Sequence, residues 1–212
     1  MSTNLSGARE RFLRAIFERG AEGASTALSR WLGTEVRLIV SAIDQVDLVE
    51  ASEALGPPDA LVAACAMGLV GPLGGSILLA FEDRAGLALA DLLLNRPIGT
   101  AVEWGEMEES AARETANIVG CSYLNALAAY LPSGPADELA PTPPNLLREF
   151  AGSLLQFALM EQAMEFDQVL LARAAFDAGK AGLDLNWTLL LIPDRRSLQA
   201  LTAELVDDPR TP

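Results

Sequence analysis

Glu114 and Asn117 are the two side chains of this sequence best placed to do chemistry together. They lie in the run 106–120, Glu-Met-Glu-Glu-Ser-Ala-Ala-Arg-Glu-Thr-Ala-Asn-Ile-Val-Gly, at a spacing of three. On a helix that spacing puts both on one side, a turn apart. A carboxylate only accepts hydrogen bonds, whereas a carboxamide both donates and accepts. Held side by side, the two can orient a substrate or a water. Asn is a poor helix former and Gly120 a poorer one, yet both interrupt an otherwise good helical run.

The helix that must carry the pair also says where the pair points. Turned at about 100° per residue, the segment 107–131 gathers Ala112, Ala116, Val119, Tyr123, Ala126, Leu127 and Tyr130 into one arc, the expected buried stripe. Ser110, Glu114, Asn117 and Cys121 fall on the opposite side, flanked by Ile118 and Leu124. Glu114 and Asn117 are therefore expected to face solvent, with Ser110, Ile118, Cys121 and Leu124 as the binding surface around them. Spacing alone favours an ordinary solvated face, because Glu-x-x-Asn is common by chance.

Composition narrows the chemistry. The chain has 212 residues, half of them apolar, enough to bury a core in one or two compact units. A net charge of −14 argues against nucleic acid or an anionic membrane surface as partner. There is no His and a single Lys, Lys180, so the base work usually given to His has no candidate. No metal-ligand cluster, phosphate-cradling Gly loop or nucleophile–base pair is visible. Cys65 and Cys121, with no secretory signal over 1–11, read as free thiols in a reducing cytoplasm. Residues 60–81 carry no charge and are long enough to span a bilayer, but Gly71-Pro72-Leu73-Gly74-Gly75 in the middle is turn chemistry. A buried hairpin is expected there.

The order of elements follows. Helices are expected at about 8–32, 83–95, 106–131 and 145–163, and from Pro193-Asp194 to about 206. A β-branched strand is expected at about 35–43, irregular chain at 44–58, a hairpin at 60–81, a Pro-rich loop at 132–144, and a second hairpin at 168–192 turning near 177–180. The tail from 207 reads as loose. Each half thus repeats helix, strand or helix, hairpin, helix, which suggests a duplicated unit with halves at about 8–97 and 104–206. In that alignment Glu114 matches Ala15 and Asn117 matches Glu18, while Arg14 matches Arg113.

The segment around the pair resembles the second phosphatase motif of the CheC/CheX/FliY family of chemotaxis phosphatases. That motif is an Asp or Ser, a Glu after three residues, an Asn after two more and a Pro about twenty-three positions on; here Ser110, Glu114 and Asn117 are in register, position 140 is Ala, and the Pro comes one residue late at Pro141. The stretches 24–29, 120–127 and 190–194 are also similar to CheC, and the resemblance covers roughly 10–206. It implies an α+β, pseudo-twofold CheC-like fold as one domain over 1–212, an antiparallel sheet with two long helices carrying the motif positions. Typical members carry the Glu/Asn pair twice, whereas this chain keeps it once.

The resemblance also implies an activity. The substrate is expected to be the aspartyl phosphate of a phosphorylated CheY-like response regulator, with Asn117 orienting the attacking water and Glu114 pairing with the regulator's Lys. The regulator would bring its own Mg2+, so this chain needs no cofactor. A CheD-like deamidase is a further candidate partner; nucleic acid and membrane insertion are not expected. The other function class the resemblance allows is a non-catalytic module that binds the regulator or structural partners, as in the flagellar switch protein FliM. The absence of a FliN-like tail after 206 is expected to count against the switch-complex members.

Overall fold

The uncharged run 60–81 folds as two strands. In the computed structural model, which describes residues 7–129, 139–158, 169–177, 184–194, 196 and 197, β2 (Leu61–Val70) pairs antiparallel with β3 (Gly75–Glu82). Gly75 closes the turn at φ 123°, and a Cβ there would lie 2.1 Å from the carbonyl oxygen of Ile192, so no other residue fits. No helix among the described residues is long and apolar enough to cross a membrane.

Among the described residues the hairpin belongs to a seven-stranded antiparallel sheet. β1 (Arg37–Val46), β6 (Val169–Asp177) and β7 (Asp184–Pro193) add on one side of β3, and β5 (Asn145–Phe150) and the short β4 (Ala140–Pro141) both pair with β2 on the other. The order is β1-β6-β7-β3-β2, ending in β4 and β5. Exchanging β1 with β5, β2 with β6 and β3 with β7 reverses this order without changing it. That is the arrangement a duplicated unit would give, and it matches the α+β class read from the sequence.

Alternation along the strands separates two cores. Cys65 and Met67, Ile77 and Leu79, and Leu189 and Leu191 face one layer, made by α1 (Gly7–Leu32), α3 (Asp83–Leu93) and α4 (Glu106–Ala128). Leu78, Leu190, Ile192 and Ala80 face the other, covered by α2 (Leu48–Glu53) and α5 (Ala151–Ala158). The free edge of the sheet near β1 is blunted by α1. Ser29 Oγ accepts from Val36 N–H at 2.9 Å and donates to Val36 C=O at 3.1 Å, and Ser25 Oγ accepts from Leu38 N–H at 2.8 Å.

Two sequence expectations need correction. The region 145–163 is not one helix: 145–150 is β5, and the helix begins at Ala151. The preceding Pro143-Pro144 favours extended chain, and β2 offers an edge on which Leu146 and Leu147 reach opposite cores. The stretch 44–58 is not irregular throughout. β1 continues to Val46, and Asp47 then caps α2, its Oδ1 accepting from the N–H of Val49 and Glu50 at 3.0 and 2.9 Å. The second hairpin forms as expected, but its turn at 178–183 lies outside the described residues, as do 159–163 and 198–212.

α4 is seated by close contacts. It lies beside α1, where Phe17 and Tyr123 rings meet at 5.5 Å. At this crossing a Cβ on Gly20 would sit 2.6 Å from Tyr123 Cδ1 and 3.0 Å from Tyr123 Cα. Gly120, the apparent flaw in the helix, lies over Met67 of β2, whose Cε would be 2.9 Å from an added Cβ. Gly20→Ala should therefore destabilise the fold by about 1–3 kcal/mol through overpacking, even though Ala is the better helix former by roughly 1 kcal/mol. Equilibrium urea unfolding checks this; a midpoint at or above wild type would mean the helices separate without cost.

Candidate functional site

The start of α4 is fixed before any candidate residue appears. Asp91, fully buried at the end of α3, accepts from the backbone N–H groups of Gly99, Thr100 and Ala101 at 2.8–3.0 Å. That pins the loop 94–105. Glu108, in the first turn of α4, accepts from Gly105 N–H at 3.2 Å and from Arg96 Nη1 at 2.6 Å. Trp104 Nε1 donates to Asp83 Oδ1 at 2.8 Å, and Arg148 of β5 grips both oxygens of Asp83 at 2.6 and 3.0 Å. The helix bearing Glu114 and Asn117 is thus anchored to α3 and, through Asp83, to the strand beside it.

Ser110, Arg113, Glu114 and Asn117 of α4 then line a groove of about 410 Å³ whose far wall is Pro141, Pro143 and Pro144. Ser110 and Glu114 are exposed and Asn117 is half-buried. Asn117 is therefore neither free in solvent nor tied into the core: it forms part of the groove lining. Its Oδ1 accepts a weak hydrogen bond from the Cys121 thiol at 3.7 Å. The prolines preset an extended backbone opposite the helix. Pro141 belongs to β4, which pairs with Leu69 and Val70 of β2, and Thr142 bonds Gly68 in both directions. The wall is thereby part of the sheet. The one-residue displacement of the Pro in the sequence leaves it in the groove lining.

The surrounding candidates divide. Ile118 and Cys121 are half-buried and neither lines the groove: Ile118 packs against the core, and Cys121 reaches the groove only through its bond to Asn117. Leu124 is not on that face: at 1% exposure it belongs to the core and lines a small internal cavity with Ile16, Phe17, Ile77 and Leu127. The cause is geometric. α4 packs on the sheet and on α1 at once, so its buried arc is wider than a single apolar stripe and takes in Ala111, Thr115, Gly120 and Leu124. Arg113, which the sequence reading left out of the site, lines the groove. Its signal was the matched position Arg14 in the first half.

The site holds no activated nucleophile. Burial first, and then the Glu114 charge, push the Cys121 thiol above its ordinary value. Cys65, in the core, is pushed up to about 12, chiefly by burial. Among the described residues no group of three or more His, Cys, Asp or Glu is placed to hold a metal ion. What the groove can offer is position: an amide and a carboxylate on a rigid floor, opposite a rigid wall.

In the first half the corresponding place looks different. A wide groove of about 1270 Å³ runs between α1 and β1, lined in part by Ala15, Glu18, Glu22 and Ile39. It has no amide at the position of Asn117, and Glu18 there pairs with Arg14 at 3.7 Å.

No family model matches this sequence. The chain is 28% identical over 122 residues to a Halobacterium salinarum protein provisionally named a CheY-P phosphatase, CheC1; the match takes in 54% of this chain and 60% of that protein's length. Among solved structures the fold is similar to FliY of Thermotoga maritima, with a TM-score of 0.77 at 15% identity over 96% of this chain and 98% of that one. It is similar to the FliM middle domain of H. pylori, with a TM-score of 0.67 at 16% identity over 95% of this chain and 99% of that one. The complex of CheX with CheY, BeF3 and Mg2+ from Borrelia burgdorferi matches with a TM-score of 0.50 at 16% identity, over 85% of this chain and 98% of that one. The fold is thus similar to that of FliY and the FliM middle domain, and about half of the sequence is similar to CheC1.

The anchoring of α4 has a pH signature. The backbone N–H of Glu108 itself, then the Arg96 guanidinium and the Gly105 N–H, hold the Glu108 carboxyl below its ordinary value of 4.5. A carboxyl depressed on folding stabilises the fold in full above its unfolded value, and that contribution is lost as pH falls through the folded value. Stability measured from pH 6 down to pH 3 should therefore fall less steeply below about 4.5 in Glu108→Gln than in wild type. Parallel curves would show that the contact does not matter to folding.

Proposed function

We propose that this chain is an aspartyl-phosphate phosphatase acting on a CheY-like response regulator. The observation that carries the proposal is the groove itself, which sets Glu114 and Asn117 side by side on α4 against Pro141, Pro143 and Pro144. The sequence likeness to CheC1 supports it, and so does the likeness in fold to a CheX that binds CheY.

The chemistry needs little from this chain. Water attacks the phosphorus, the bond to the regulator's aspartyl oxygen breaks, and a carboxylate and inorganic phosphate result. The regulator supplies the Mg2+ and Lys that neutralise charge. The remaining requirement is a water held in line with the departing oxygen. Asn117 would hold it, with its carbonyl steadied by the Cys121 thiol. Glu114, exposed one turn away, would pair with the regulator's Lys and set the docking geometry. Neither role requires a proton to move to or from this chain.

A second reading is a binding module without turnover. It is favoured by the likeness to the FliM middle domain and by the presence of the pair in only one half. The two readings part at Asn117. Asn117→Ala should lower the rate of regulator dephosphorylation on the order of 10²-fold, leaving regulator affinity and fold stability near wild type. Glu114→Ala should lower both rate and affinity, and Glu18→Ala neither. The half-life of phosphorylated regulator against protein concentration decides the matter. Turnover absent from wild type would leave the binding module, and turnover undiminished in Asn117→Ala would overturn the role given to Asn117.

A further inference from the structure

Arg113 is the one cation among the described residues lining the α4 groove, on a chain of net charge −14. It stands one turn before Asn117 on the same helix face. Its Nη2 is tied to Glu109 Oε2 at 2.5 Å, one turn toward the start of the helix, and both side chains remain partly open to solvent. A guanidinium has five donors in a planar fork, and a single carboxylate oxygen engages only part of them. The pairing draws Arg113 toward Glu109 and leaves donors for an acceptor arriving from outside.

The first half supplies the contrast. Arg14 occupies the matching position in α1, but its Nη1 turns the opposite way, to Glu18 at 3.7 Å. Glu18 stands where Asn117 stands in α4. In α1 the cation meets a carboxylate at the position of the amide. In α4 that position is neutral, and the Arg is held away from it.

We propose that Arg113 is a partner-recognition residue of the groove, which binds an oxyanion of the incoming regulator. This rests on the reading that the α4 groove docks on a phosphorylated response regulator. The ligand chemistry is an oxygen-centred anion, either a phosphoryl oxygen or a carboxylate at the rim of the phosphorylation site. A partly exposed charge at a docking rim acts mainly on the association rate and on its dependence on salt. Glu114 faces the same groove with the opposite sign, so the two side by side also fix the orientation of docking.

The test is the association rate of the whole chain with a CheY-type regulator, as its BeF3–Mg2+ adduct and unmodified, at low and at moderate ionic strength. Arg113→Gln should slow association on the order of 3–10-fold at low salt and flatten the salt dependence. Arg113→Lys should restore most of the rate, and Arg14→Gln should match wild type. A loss confined to the adduct identifies the phosphoryl group as the oxyanion, and an equal loss with both forms identifies a carboxylate; either supports the proposal. Wild-type rate and salt dependence in Arg113→Gln would overturn it. If wild type binds the regulator but does not hydrolyse it, only the phosphatase reading fails. If wild type binds neither form, both fail together.

Discussion

The close approach of α1 and α4 over the sheet is the constraint on which the rest of this molecule depends. At their crossing there is room for hydrogen but not for a methyl group between Gly20 and Tyr123. A second glycine, Gly120, lets α4 settle onto Met67 of the central hairpin. These contacts fix how far α4 is rotated about its own axis. A helix turned by one residue, about 100°, would carry Glu114 and Asn117 away from the proline wall. The buried carboxylate of Asp91 and the Arg96–Glu108 pair act along the other coordinate, fixing where the helix starts. Site geometry is thus set by packing and by loop hydrogen bonds that never touch the groove.

The internal symmetry clarifies the role of individual side chains, because each half is a control for the other. The strand order is unchanged by exchanging the halves, and both long helices lie on the same face of the sheet with an Arg at the matched position. Around the two grooves the halves differ: a Glu stands where the other half has Asn, an Ala where it has Glu, and an open groove where the other has a wall of prolines.

Much of this was legible in the sequence, for physical reasons that vary by element. The hairpin β2–β3 could be read because turn residues divide an uncharged apolar run into two lengths suited to strands. The face of α4 could be read because Glu114 and the apolar stripe obey one helical period. β5 could not, because the pattern Leu146, Leu147, Phe150, Leu154, Leu155 suits a helix as well as a strand, and only the unpaired edge of β2 decides it. Leu124 was misplaced because a single-stripe helical wheel assumes one packing partner, and α4 has two. Asp91 left no local mark at all: its three backbone partners lie eight to ten residues away in a loop whose path is set by the fold.

The hydroxyls of Ser25 and Ser29 have a role beyond the seating of α1. They occupy backbone groups at the start of the outermost strand that would otherwise be available to another polypeptide. The protection is borrowed from a separate element, so it lasts only while α1 is docked. Conditions that peel α1 away without melting the sheet would uncover a strand border together with an apolar sheet face, including Leu38, Ile43, Leu189 and Leu191. The partly unfolded form would then be self-adhesive. For this molecule, the reversibility of thermal denaturation would hinge on the order in which its layers come apart.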